Sequence, residues 1–146
     1  MWNKTRAKGL RMGRIQKAYY MLDELTEIWR FPEADLRYVV ENDLLALSVR
    51  LVGPRMELGA FDESPEGEPL SIPYEHARFD GVLDLFKPDA ITLLREGRAE
   101  ATRFAQPPNG YATLLPNEAC VPIRRSDLLV RTEERHRFEE AFLPDL

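Results

Sequence analysis

The stretch YYMLDELTEIWRFPEADLRYVVEN, residues 19–42, decides how the rest of the chain is read. Leu22, Leu25, Ile28 and Trp29 recur at i, i+3, i+6 and i+7, the spacing that lines one face of a helix. Asp23 and Glu24 place negative charge in the first turn, where the helix dipole favours it. Pro32 disfavours an α conformation at Phe31, so this helix stops near Arg30. Pro32 has a fixed φ and no N–H to satisfy, which suits it to open a second helix. Leu36, Val39 and Val40 form the apolar stripe of that helix, with Arg37 and Glu41 outward and Asn42 as the expected left-handed terminator.

Working outward, Leu45, Leu47, Val49 and Leu51 alternate with smaller or polar residues, a strand over 44–52 that Gly53-Pro54 ends. Residues 54–78 are rich in Pro, Gly and Glu. They read as an exposed acidic loop carrying Asp62, Glu63, Glu66 and Glu68, with short strands near Met56–Phe61 and Leu70–Ile72. A strand follows at 81–85. Lys87-Pro88-Asp89 then opens a helix bearing Ile91, Leu93 and Leu94, capped by Gly97. A short strand is expected over Ala99–Phe104, a turn at Pro107-Pro108-Asn109-Gly110, and a pairing of Tyr111–Leu115 with Val121–Ile123. Leu128–Val130 reads as extended. Thr132 is the expected N-cap of a last helix that buries Phe138 and Phe142 and ends at Pro144.

The expected fold is therefore α+β: a helix-turn-helix unit packed on a small, mostly antiparallel sheet, with a C-terminal helix. Residues 1–18 form a basic flexible arm and residues 19–143 a single domain. That domain divides into a helix-turn-helix plus strand (19–53), the acidic loop (54–78), and a strand-helix-strand with the C-terminal helix (79–143).

Composition narrows the chemistry. The chain has 146 residues, 44% of them apolar, enough for a real core. Residues 1–20 hold six cations and no acid, and the remainder holds 14 cations against 25 acids. One cysteine excludes an internal disulfide framework, and His76 and His136 stand too far apart for a paired metal motif. No apolar run approaches membrane-spanning length, and the basic N-terminus lacks the apolar segment of a secretory signal. The expectation is a cytoplasmic protein with no membrane contact, no cofactor, no metal and no enzymatic chemistry. Cys120, in an apolar stretch, reads as a buried inert thiol, and His136 as solvated. Tyr19, Tyr20, Trp29, Phe31 and Tyr38 read as core and rim. Phe79, Phe86 and Leu143 are surplus apolar residues that leave room for a homodimer.

Tyr19-Tyr20-Met21-Leu22-Asp23-Glu24-Leu25 through Asn42-Asp43-Leu44 resembles the opening of the MerR/excisionase-like winged helix-turn-helix family. That opening reads Tyr-Tyr-x-Leu-Asp-Glu-Ala-Ala, then a second helix, then Glu-Gly-Lys-Leu and a strand. Ile123-Arg124-Arg125-Ser126-Asp127-Leu128-Leu129-Val130, with Thr132–Phe138, resembles the family's closing strand and helix. The likeness covers about residues 19–53 and 121–142. It implies a second helix in the major groove and a hairpin on phosphate. Arg30, Arg37 and Tyr38 would face the groove. Arg124 and Arg125, with Lys4, Arg6, Lys8, Arg11, Arg14 and Lys17 of the arm, would face the backbone of double-stranded DNA. The implied function is a small, non-catalytic DNA-associated regulatory or accessory protein of phage or mobile-element type.

The sequence departs from that family in two places. Met21 and Phe31 stand where a capping hydroxyl or acid is usual. The second helix carries Glu33, Asp35 and Glu41 against the one cation Arg37, and acids facing DNA repel a backbone with one negative charge per roughly 1.7 Å. The alternative expectation is a protein-interaction adaptor or inhibitor that uses an acidic surface on a helix-turn-helix-derived scaffold to bind a basic protein. Arg124, Arg125, Arg131, Arg135 and Arg137 are balanced by five nearby acids, as on a mixed-sign surface.

Overall fold

Strand β1 (Tyr19–Met21) of the computed structural model, which describes residues 15–145, lies antiparallel to β8 (Leu129–Arg131), so the two ends of the domain meet. Between them run helices α1 (Leu22–Trp29) and α2 (Glu33–Glu41), the long strands β2 (Ser48–Glu63) and β3 (Pro69–Leu85), and helix α3 (Lys87–Glu96). Then come β4 (Arg98–Ala101), β5 (Arg103–Gln106), β6 (Gly110–Leu114), β7 (Val121–Arg124) and a 3-10 turn, Arg125–Asp127. Helix α4 (Thr132–Phe142) follows β8. Among the described residues the fold is thus α+β, with four α-helices and a six-stranded antiparallel sheet in the order β1-β8-β2-β3-β5-β6. β2 also pairs with β6, which closes β2, β3, β5 and β6 into a ring, and β4 and β7 form a separate pair.

The helices follow their apolar spacing. Leu22, Leu25 and Trp29 of α1 and Leu36 and Val40 of α2 are buried, with Leu93 and Leu94 of α3 and Phe138 of α4 in the same core. Ile28 departs from its expected place and is 46% exposed, because α1 buries a narrower stripe than its four apolar positions suggested. Capping also differs in detail. The Glu24 carboxylate accepts from the Met21 N–H at 3.1 Å, supplying the cap that Met21 lacks. The left-handed residue after α2 is Asp43 (φ 59°), one position beyond Asn42, whose side-chain amide turns back to the Tyr38 carbonyl. Gly97 is left-handed as expected (φ 83°). Thr132 is the first residue of α4 and not its N-cap; its hydroxyl donates to the Lys17 carbonyl.

The largest correction concerns residues 54–78. They form most of a long β2–β3 hairpin, with only residues 64–68 left as a turn. Gly53-Pro54 bends β2 without ending it. Gly53 takes φ 90° and the register slips between Val52 and Arg55, a bulge that absorbs the proline's missing donor. A second slip leaves Tyr74 without a partner opposite Leu58 and Gly59. The strand expected over Ala99–Phe104 is two strands in two sheets, β4 and β5, broken at Thr102. Tyr111–Leu115 and Val121–Ile123 do not pair with each other: β6 pairs with β5 and β2, and β7 with β4. Pro107-Pro108-Asn109 makes the expected turn.

Two polar clusters bind the layers together. Asp84, 6% exposed, lies directly opposite Ser48 and accepts its hydroxyl at 2.6 Å. It also accepts two bonds from the Arg131 guanidinium, at 2.7 and 2.9 Å. One turn into α4, Glu134 accepts from Arg137 at 2.7 and 2.8 Å and from the Ala46 N–H at 2.8 Å. Burial pushes the Glu134 carboxyl up, but those donors outweigh it and hold it below the usual range. Pairing with Asp84 holds the Arg131 guanidinium above its ordinary value against an opposing desolvation.

Candidate interaction face

Helices α1 and α2 meet through Arg30, which takes φ 57°, a left-handed conformation uncommon for a residue with a Cβ. Its N–H turns back to the Glu27 carbonyl at 3.2 Å and the Phe31 N–H to that of Thr26 at 3.0 Å, which finishes the last turn of α1. Trp29, Phe31 and Phe138 stack behind this turn, with ring centroids 4.9 to 5.9 Å apart. The Trp29 indole N–H donates to Glu139 at 2.7 Å, fixing α1 to α4.

The geometry brings two of the expected DNA-binding residues, Arg37 and Arg125, together on Glu33 and leaves Arg30, Tyr38 and Arg124 exposed. Arg37 is turned toward α3: its guanidinium donates to the Leu94 carbonyl at 3.2 Å and its Nε stands 3.6 Å from Glu33. Arg125 comes across from the 3-10 turn and grips the same Glu33 with two bonds, at 2.9 and 3.1 Å. The paired Arg125 guanidinium holds the Glu33 carboxyl below its ordinary value, against a smaller desolvation and with Arg37 adding to the effect. Glu33 thus draws inward two of the cations assigned to groove and backbone. Tyr38, next along α2, faces outward and is 58% exposed, away from the core position its aromatic spacing suggested. Arg30 is exposed at the turn, and Arg124 is exposed on the outer face of β7, opposite Arg98 of β4. Lys17 contacts Glu24 at 3.3 Å and stands over the Tyr20 ring. Lys4, Arg6, Lys8, Arg11 and Arg14 lie outside the described residues.

The C-terminal arginines are occupied in the same way. Arg131 holds Asp84, Arg135 holds Glu139 at 2.8 Å, and Arg137 holds Glu134. The mixed-sign reading of that segment describes this pairing. What remains on α1 and α2 is acidic. Asp23, Glu27 and Asp35 are exposed, and among the described residues Glu27 and Asp35 have no ion pair. Residues 21–42 carry six acids against two cations.

Cys120 is a further correction. It is exposed, because it lies in the loop between β6 and β7, outside any layer. His136 is exposed on α4, as expected. Phe79 and Leu143 pack against the core, and Phe86 lies half-buried under the Arg103 guanidinium, so these residues are covered within the chain. Phe142, expected inside, is 44% exposed as the last residue of α4. Among the described residues no group of three or more His, Cys, Asp or Glu is placed to hold a metal, and no helix is long and apolar enough to cross a membrane.

Two features escaped sequence reasoning. The buried Ser48–Asp84–Arg131 cluster joins three strands that nothing local connects. The exposed residues Leu70, Ile72 and Tyr74 do leave a signal, an alternation of apolar positions within the supposed loop. No family model, no curated protein and no solved structure matches this chain.

Proposed function

We propose that this chain is a non-catalytic protein-interaction module. It uses α1 and α2, a helix-turn-helix-derived pair, to present an acidic face to a basic partner protein. The observation that carries this reading is the capture of Arg37 and Arg125 by Glu33 and Leu94, while Asp23 and Glu27 of α1 and Asp35 and Tyr38 of α2 stay exposed. A duplex reader needs a cation at each phosphate it touches. On this face Arg30 alone is an exposed cation among the described residues of α1, α2 and their turn that is free of an ion pair. An acidic surface with a half-exposed aromatic fits a basic protein surface, whose approach it also steers.

Affinity capture from the source cells, with the intact chain and with a Glu27→Lys/Asp35→Lys variant, tests the proposal. The expected result is a basic protein held by the parent, released by about 0.5 M salt, and not retained by the variant. Recovery of nucleic acid with the parent, and tighter recovery with the charge-reversed variant, would return the function to DNA association through Arg30, Tyr38, Arg124 and the basic N-terminal residues.

A further inference from the structure

The far half of the β2–β3 hairpin carries an apolar surface that the rest of the domain does not cover. On β2, Met56 and Leu58 are buried, and the same face continues through half-buried Ala60 to exposed Asp62. Ile72 lies directly opposite Ala60 and Leu70 opposite Asp62, so all four share that face. Ile72 is 45% and Leu70 43% exposed. The core side of the sheet therefore runs out past the end of the core. The charge around it is of one sign: residues 56–76 contain six acids and no Lys or Arg. The open edge of β3 is a poor site for an added strand. Phe61 spends its N–H and C=O on Asn109, so its partner Ser71 belongs to the outward-pointing set of β3, together with Pro69 and Pro73. Prolines offer no donor there, so recognition falls to the face and not the edge.

We infer that this face binds the basic N-terminal segment, residues 1–14, of a second copy of the chain, giving a reciprocal dimer. The inference stands apart from the acidic α1–α2 face and does not depend on it. Residues 1–14 carry Lys4, Arg6, Lys8, Arg11 and Arg14 with no acid, and Trp2, Leu10 and Met12 as apolar side chains. That composition is the complement of this face and its turn: apolar groups for Leu70 and Ile72, and five cations for Asp62, Glu66, Glu68 and Glu75. Reach selects the second copy over the same chain. Met21 and Ser48 both lie opposite Leu129, and Tyr19 lies opposite Arg131, so the chain upstream of Tyr19 heads away from the hairpin end. Returning along β1 and then along β2 to Ala60 is a path of about 46 Å at roughly 3.3 Å per residue. Even fully extended, about 13 of the 18 residues before Tyr19 are used up in covering it, so within one molecule only the first few residues of the segment could lie on the hairpin. The segment of a partner molecule has no such path to retrace.

The test compares the full chain with a chain lacking residues 1–14 and with a Glu66→Lys/Glu68→Lys variant. Glu66 and Glu68 bond to Ser64 through backbone groups, both N–H groups donating to its hydroxyl and the Glu68 carbonyl accepting its N–H, so this reversal leaves the turn intact. Sedimentation equilibrium at low salt should show a concentration-dependent dimer for the full chain and monomers for both variants. Dimer affinity should fall at least about tenfold by 0.5 M salt. A synthetic peptide of residues 1–14 added to the truncated chain should shift the amide resonances of residues 58–76 and bind at least about tenfold more weakly when Glu66 and Glu68 are reversed. A full chain that stays monomeric overturns the inference, whether or not its hairpin resonances change on truncation. So does a dimer that survives truncation, or a peptide that leaves the hairpin resonances unmoved and binds only duplex DNA.

Discussion

Replacing Arg131 by Met removes one partner of the most enclosed ion pair in the described structure and leaves the other in place. The Asp84 side chain is 9% exposed and that of Arg131 22%, and three hydrogen bonds converge on the Asp84 carboxylate, two of them from Arg131. Ser48 supplies only one donor, so Asp84 would be left as a buried carboxylate with two acceptor positions empty. Breaking a buried pair on one side costs about 3–5 kcal/mol. For a chain of this size that is a fall in melting temperature of roughly 12–20 °C, at about 4 °C per kcal/mol. Replacing both partners, Arg131→Met with Asp84→Leu, removes the orphaned charge along with its partner, and should recover most of the loss. Urea denaturation of the parent, the two single variants and the double variant gives the coupling directly as a double-mutant cycle. A cost below about 1 kcal/mol for Arg131→Met, or a double variant no more stable than the worse single one, would show that water reaches Asp84 and that the reasoning from burial is wrong.

Three further outcomes follow from other parts of the fold. A Cβ on Gly59 would collide with the buried Tyr111 ring, so Gly59→Ala should cost about 1–3 kcal/mol, read in the same urea titration. Met56→Ala should cost about 2–5 kcal/mol, whereas Ile72→Ser, on the uncovered part of the same face, should change stability by less than about 0.5 kcal/mol and is checked by thermal unfolding. Glu33, Glu134 and Glu139 are all held below the ordinary glutamate value of 4.5, so the stability they contribute is present above that value and lost as pH falls through their folded-state values. Arg125→Gln should therefore raise the Glu33 titration midpoint toward 4.5 in a carboxyl NMR titration and move the acid-unfolding midpoint upward.

What could be read from the sequence was what is encoded locally. The 3.6-residue spacing of Leu22, Leu25 and Trp29, the stop before Pro32 and the cap at Gly97 each depend on residues within one or two turns, and each stands in the structure. The hairpin is masked in the sequence because Gly53-Pro54, Pro69 and Pro73 are ordinarily terminators. Here a bulge takes up the first, and a free edge the other two. Arg135 and Arg137 pair with acids four and three positions away, a helical spacing the sequence carries, whereas the fate of Arg125 and Arg131 does not show in it. Arg125 reaches Glu33 across 92 positions and Arg131 reaches Asp84 across 47, and no spacing rule links residues that far apart.

The pairing of β1 with β8 sets an order of events during synthesis. Tyr19–Met21 can find their strand partner only after Leu129–Arg131 have been made, and the Leu22 N–H waits for the Leu128 carbonyl. Trp29 likewise lacks Phe138 and Glu139 until α4 exists. The strand pairings that form the ring of β2, β3, β5 and β6 use nothing beyond residue 114, although Asp84 waits for Arg131. On the ribosome, then, the ring can close while α1 stays undocked, its apolar stripe open to chaperones. The first helix of the chain becomes one of the last to dock.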